Sequence, residues 1–423
     1  MDDSGEGQAT VVTPASAGSP GPAAGPSSTP APAPAPPASA PSSAPASTPG
    51  AAPAAPPTAA PAPPARPPFR LGYRPELDGL RGLATIPVVS HHIVRLMWPT
   101  GDHWVFPGGQ VGLDLFFALS GFLITALILG EFERTGRVDV VDFVRRRLRR
   151  LLPALLVMMA CLLAVSVVGE RYSPGVLLSS TGWVATFSTN LVFDRPIVEL
   201  AHTWSLSVEA HFYLLWCLAT ALVVSRVRRP YPVLAGLAVG TVVVVAVTRA
   251  LAYHDGVDVV GMYVATLRRL DGPLLGALAG IAVVAGWVDR VPRRWAVGAC
   301  VAALAVLGVT AYRTTPISPV LFEGLFTAVA ACGAVLVVAA SLASGSRLHR
   351  FFTARPLVAL GTISYSVYLW HFPIIMWFHR NIRGWPVAGK IAACVMGSLV
   401  AGVVSYALVE RRFLRPKRAA APA

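Results

Sequence analysis

Ten apolar stretches dominate the chain, each close to the ~20 residues that an α-helix needs to cross a hydrocarbon core. They lie near 79–98, 111–130, 149–168, 204–225, 231–253, 262–286, 294–311, 320–343, 356–378 and 387–408. Inside a bilayer a backbone must satisfy its own N–H and C=O groups, and a helix does so within one segment. The expected fold class is therefore all-α: a polytopic membrane bundle of about ten transmembrane helices. Composition agrees, with 54% hydrophobic and 13% charged residues in 423. The formal charge of +14 does not point to nucleic acid. The basic residues form no continuous solvated face; they sit in short clusters between apolar runs, as the cytoplasmic loops of a membrane protein do. The bilayer is the expected environment.

An eleventh stretch, 175–193, is ambiguous because it holds Ser179, Ser180, Thr181, Thr186, Ser188, Thr189 and Asn190. Charge decides its reading. Basic clusters occur at 66–74, 145–150, 226–229, 290–294, 347–355 and 411–418. With ten spans all of these fall on one side, whereas Asp102, Glu170, Asp194, Glu199, Asp255 and Asp258 face the other. The positive-inside rule then places both termini in the cytoplasm and makes the chain a multi-pass plasma-membrane protein. Segment 175–193 becomes a re-entrant or interfacial piece. No internal repeat is visible, so the inverted-repeat signature of many transporters is absent.

Three regions follow: a Pro/Ala/Ser-rich cytoplasmic tail over 1–70, a membrane domain over 71–412, and a basic tail over 413–423. The first region carries no charge between Glu6 and Arg66 and cannot bury a core, so disorder with polyproline-II character is expected. It opens without a secretory signal pattern. Cys161, Cys217, Cys300, Cys332 and Cys394 all fall in apolar segments without metal-like spacing, so neither a disulfide nor a metal site is expected. Trp98, Trp104 and Trp377 read as interfacial anchors.

Charged side chains inside such segments are costly and mark function. Arg81 and His92 are eleven residues apart on one segment, close to three helical turns, which puts them on one face about 16 Å apart. Within Arg145-Arg-Arg-Leu-Arg-Arg150, Arg147 and Arg150 share a face that continues into the third span. Their guanidinium groups suit phosphate or pyrophosphate. Arg145, Arg146 and Arg149 are compatible with a purely topological role. On the assumed topology, Arg81, Arg147 and Arg150 form a cytoplasmic ring. His92, Glu209, His371 and Asp271 lie deeper or toward the outer face, with His202 at the outer surface. Glu209 has two open readings: a catalytic role, or a pairing with Arg268 or Arg269. Arg268 and Asp271, three apart, are candidate substrate contacts that could also neutralise each other. His91 points about 100° from His92 and reads as structural. Pro373, after His371, is expected to kink its helix.

From about Arg74 to Arg412 the chain resembles the integral-membrane acyltransferase-3 family. The resemblance rests on five ordered motifs. They are Arg81-x10-His92, the run Gly112-x-Asp-x-Phe-Phe-x-x-Ser-Gly-Phe-Leu-Ile124, and Arg147-x-x-Arg150-Leu-Leu-Pro-Ala. The others are His202-Thr-Trp-Ser-Leu-Ser-Val-Glu209 and Ser364-Tyr-x-x-Tyr-Leu-Trp-His371. It implies an enzyme of about ten helices that moves an acyl group, often acetyl, from cytoplasmic acyl-coenzyme A to a hydroxyl. The acceptor would be a glycan, a glycolipid or a secondary metabolite. It also implies that Arg81, His92, Arg147 and Arg150 are the functional residues. At His211 the chain departs from the family's usual Gln, so that position receives no role. Some relatives carry an additional esterase domain. This chain shows none, so transfer would be completed by the membrane domain or a separate partner.

The residue chemistry is compatible with that implication. An arginine ring (Arg81, Arg147, Arg150) matches the phosphates of coenzyme A, which would be a donor substrate, not a bound cofactor. A hydroxyl must lose its proton as it attacks a thioester, and histidine is the usual base. His92 is assigned that role, with Glu209 or another carboxylate orienting its ring. His202, His371, Arg268 and Asp271 are assigned to the acceptor side. Acyl relay through His92 is the other route. The rival class is a proton-coupled transporter of a small anionic solute, with His and Glu as the relay.

Overall fold

The computed structural model describes residues 67–97, 107–169, 171–191, 197–382 and 384–414. The expectations for the 1–65 tract, Trp98, Trp104, Asp102, Glu170, Asp194 and the end of the basic C-terminal segment lie outside the described residues. All described regular elements are helices. They are α1 (Pro75–Met97), α2 (Gln110–Thr135), α3 (Val140–Val168), α4 (Pro174–Ala185) and α5 (Trp204–Arg226). There follow α6 (Pro230–His254), α7 (Val259–Val264), α8 (Asp271–Val284), α9 (Arg293–Arg313) and α10 (Phe326–Leu342). The chain closes with α11 (Arg347–Phe352), α12 (Arg355–Thr362), α13 (Ser364–Asn381), α14 (Val387–Ser405) and α15 (Arg411–Leu414).

Each of the ten apolar stretches coincides with helix. Among the described residues, seven helical stretches are long and apolar enough to cross a bilayer, and α12 with α13, bent by 72°, makes up to eight. The two others explain the difference from ten. Helix α1 carries Glu76, Asp78, Arg81 and Arg95, which lowers its hydropathy. Helix α8 has 14 residues, about 21 Å at 1.5 Å per residue. The expected single span over 262–286 is broken into α7, a 3₁₀ turn at Thr266–Arg268, and α8. The 12 residues of α4 reach only about 18 Å, well short of a ~30 Å core. The non-spanning reading of 175–193 follows from that length. The bend expected at Pro373 lies elsewhere: α13 runs through Pro373, and the chain turns at Ile363.

Local signals explain several boundaries. Gly136, at φ 72°, takes the left-handed conformation that ends α2. Asp139 then caps α3 by accepting from the Asp142 N–H at 2.9 Å. Ser173 and Ser346 cap α4 and α11 in the same way.

Helix α2 is the interior pillar, buried along most of its length and packed against α1, α8 and α10. Its contact with α8 is backbone on backbone. A Cβ added at Gly121 would stand 1.8 Å from the Pro273 carbonyl oxygen, and one at Gly276 would stand 2.0 Å from that of Ala118. Small residues are the usual means of such close approach between membrane helices. The outer helices show the opposite pattern: Val168, Leu178, Val244, Val309 and Val403 are exposed. An apolar exterior over a packed interior suits hydrocarbon as solvent, and the chain is a multi-pass membrane protein.

Candidate functional site: two cavities that share a wall

Among the described residues, two of the cavities beside α2 carry ionisable side chains. The first, about 80 Å³, is walled by Arg81 of α1, Ser120 of α2, Arg147 and Arg150 of α3, Glu209 and Tyr213 of α5, and Tyr365 and Tyr368 of α13. The i, i+3 spacing of Arg147 and Arg150 brings both guanidinium groups to one wall, half-buried, while Arg145, Arg146 and Arg149 are exposed. Arg146 is spent on ion pairs with Asp142 and Glu131. Among the described residues, Arg81, Arg147 and Arg150 form no ion pair with an acidic side chain within 4.0 Å. Arg147 lies over the rings of Phe143 and Tyr213, at 5.7 and 5.9 Å. Glu209 accepts from the Ser120 hydroxyl at 2.7 Å and from the Tyr213 hydroxyl at 2.8 Å. Tyr365 donates to the Leu151 carbonyl at 2.7 Å and so ties α13 to α3. Three guanidinium groups around one carboxylate make a cationic chamber suited to a phosphorylated ligand.

The second cavity is larger, about 440 Å³, and has a different lining. His91, His92 and Arg95 come from α1, Gln110 and Leu113 from α2, His202 and Trp204 from the start of α5, and Tyr263 from α7. Tyr368 and Phe372 of α13 close it. The rings of Trp204 and Tyr263 pack 5.0 Å apart, an aromatic wall of the kind on which a sugar or other flat, partly apolar group can rest. Two of the lining histidines, His92 and His202, cluster with a third, His371. His371 is fully buried, and its ring lies 4.9 Å from that of His92 and 5.5 Å from that of His202.

Their hydrogen bonds assign the ring protons, which are inferred from partners. His371 Nδ1 sits 2.6 Å from the Tyr368 carbonyl, an acceptor only, so Nδ1 carries the hydrogen and Nε2 carries the lone pair. That Nε2 stands 3.0 Å from His92 Nδ1, which is also 3.0 Å from the Val88 carbonyl. His92 therefore donates from Nδ1 to both. Its Nε2 is left as the lone-pair nitrogen, the form a base or nucleophile needs.

The structure brings together most of the residues singled out from sequence, but not in every expected partnership. Arg81 and His92 share α1 and serve different cavities. His202, expected at the outer surface, is buried within the histidine cluster, with Nε2 3.1 Å from the Leu369 carbonyl. Glu209 does not orient His92: it stands in the arginine cavity, and the ring partner of His92 is His371. Nor does Glu209 pair with Arg268 or Arg269. Arg269 pairs with Asp114, and Arg249 with Asp271 at 2.8 Å, all four side chains being fully buried. Arg268 bonds the Thr248 carbonyl and Asp271 also accepts from Thr327, so these two neither neutralise each other nor line either cavity. His211 bonds the Thr266 hydroxyl at 2.8 Å, away from both cavities. Sequence reasoning missed Tyr213, Leu113 and Tyr368 as cavity residues. The signal for Tyr368 was available, since it stands three residues before His371 and shares its helix face.

A cationic and a histidine-lined cavity, side by side within a bundle of apolar helices, define a polytopic membrane protein with two chemically distinct chambers. The family described as an acyltransferase domain, Acyl_transf_3, matches residues 74–409, and the chain belongs to it. Among curated proteins it is similar to the O-acetyltransferase OatA of Staphylococcus aureus, at 26% identity over 360 residues, 80% of this chain and 57% of that protein. It is similar to the peptidoglycan O-acetyltransferase OatA of Listeria monocytogenes at 30% over 325 residues, covering 72% and 49%. The putative peptidoglycan O-acetyltransferase YrhL of Bacillus subtilis is 29% identical over 362 residues, covering 80% and 54%. The chain thus spans about half the length of the curated relatives it matches. No solved structure matches it.

Proposed function

We propose that this protein is a membrane O-acyltransferase that moves an acyl group, acetyl in the first instance, from acyl-coenzyme A to a hydroxyl of a cell-envelope carbohydrate. The names of the relatives, which include peptidoglycan O-acetyltransferases, support the acceptor class. The observation that carries the reading is the meeting of two chemically different cavities: Leu113 and Tyr368 line both. On the positive-inside reading the arginine cavity faces the cytoplasm of a plasma-membrane protein with both termini inside, where acyl-coenzyme A is made. Arg81, Arg147 and Arg150 hold the donor's phosphates, and its pantetheine arm carries the thioester to the shared wall.

The acceptor hydroxyl enters the second cavity. His92 Nε2 takes the hydroxyl proton as the oxygen attacks the thioester carbonyl. The new ester C–O bond forms, the C–S bond breaks, and the proton on His92 passes to the departing thiolate. His371 keeps His92 in the required tautomer through the Nδ1···Nε2 bond, and imidazolium formed on His92 is held by that bond and by the Val88 carbonyl. Glu209, with both carboxylate oxygens engaged by Ser120 and Tyr213, acts on the donor side by offsetting the arginine charge.

The test is transfer of label from acetyl-coenzyme A in membranes holding wild type or His92→Ala, with thiol release counted. A base of this kind contributes about 10²–10⁴-fold, and loss of that order is expected. Donor turnover that survives the substitution would remove His92 from the chemistry. A burst of labelled enzyme on rapid quench would replace direct transfer by a relay through His92.

A further inference from the structure

We infer that Leu113 and Tyr368 form the passage through which the acyl group crosses from donor to acceptor, and that Leu113 sets the length of acyl chain that can cross. This deepens the proposed acyl transfer and rests on it. Among the described residues, no other lines both cavities. The reacting carbonyl must be reached by the thioester from one side and by the acceptor oxygen from the other, so it must come to rest between these two side chains.

The two sides of the passage differ in stiffness. The Tyr368 hydroxyl donates to the His202 carbonyl at 2.7 Å and pairs with the Ser205 hydroxyl at 2.5 Å. Its ring is wedged 5.4 Å from that of His371 and 5.5 Å from that of His202. Moving it would break hydrogen bonds in a low-dielectric interior, where unpaired polar groups are costly. The backbone of Leu113 is equally well fixed. Its neighbour Gly112 packs so closely on α1 that a Cβ there would stand 2.4 Å from the Ala84 carbonyl oxygen. Its other neighbour, Asp114, is locked in the buried pair with Arg269. The Leu113 side chain has no polar tether and is 8% exposed. It is therefore the element of the passage whose volume alone decides the free space. A leucine facing a fixed tyrosine leaves room for a short acyl group and collides with a long one.

The experiment uses the full chain in lipid nanodiscs with soluble muropeptides as acceptor. Free-thiol release is followed from acetyl-, butyryl- and hexanoyl-coenzyme A, and calorimetry with coenzyme A measures donor binding separately. Leu113→Ala is expected to raise the butyryl-to-acetyl rate ratio about tenfold or more. Leu113→Trp is expected to lower acetyl transfer at least tenfold, with a cooperative thermal unfolding transition in nanodiscs showing that the variant is folded. An unchanged acyl preference in Leu113→Ala overturns the passage, as does wild-type transfer by Leu113→Trp. A wild-type protein that neither binds coenzyme A nor releases thiol fails earlier and sinks the donor reading itself.

Discussion

Two sets of arginines in one membrane domain behave in opposite ways. Arg249 and Arg269 are fully buried, paired with Asp271 and Asp114, and stacked on the ring of Phe326 at 5.4 and 3.9 Å. Arg81, Arg147 and Arg150 are half-buried around a cavity, and among the described residues no acidic side chain pairs with them. A guanidinium in a low-dielectric interior needs a partner or water. The first set has its partners in the chain and serves to lock α2, α6, α8 and α10 together. The second set faces an opening instead, and under the proposed function the donor's phosphates would be its partner. Residue type says little here; what separates structure from function is whether the charge is already answered.

That contrast can be broken by substitution. Asp114→Ala leaves Arg269 buried without its carboxylate, and stability is expected to fall by about 3–5 kcal/mol, the usual cost of breaking a buried pair. Thermal unfolding in nanodiscs checks this. Arg147→Ala removes a charge that faces a cavity. Donor KM should rise about 10–100-fold, as for loss of one charge-assisted hydrogen bond, with stability shifted by less than about 1 kcal/mol. A large stability loss in Arg147→Ala, comparable with that of Asp114→Ala, would mean that the cavity arginines are structural as well. Tyr213→Phe removes one of the two hydroxyls that hold Glu209. A rate loss of about 2–10-fold is expected with the fold intact, and no loss would detach Glu209 from the donor side. Arg149→Ala, on the exposed face of the same cluster, should change KM by less than about twofold. A larger effect would extend the cationic chamber beyond Arg147 and Arg150.

Much of the architecture was legible because membrane-length apolar runs report helices one at a time. All ten runs proved helical, and the split between Arg147 with Arg150 and the other three arginines of the cluster followed from helical periodicity alone. The errors lie where helices are interrupted. The break of 262–286 depends on Asp271 turning to Arg249 and on the Asn190 amide donating to Thr266 at 2.6 Å, contacts with residues far away in sequence. The bend at Ile363 has no proline at it, whereas the proline that invited a bend, Pro373, sits within a continuous helix. Glu209 was misplaced for a related reason. Grouped from sequence with His92 and His371, it stands instead in the cavity of Arg81, Arg147 and Arg150, because position along α5 does not say which neighbouring helix a side chain faces.

Sequence alone determined the helical class, the membrane environment, the family motifs and the shared face of Arg81 and His92. These properties are local, set by hydropathy and by the 3.6-residue period. Tertiary structure decided which charges are paired, which histidine orients His92, and that one leucine and one tyrosine stand between the two cavities. Those facts depend on how α1, α2, α3, α5, α6, α8, α10 and α13 are rotated and pressed against one another. That arrangement is a property of packing, which no single segment encodes.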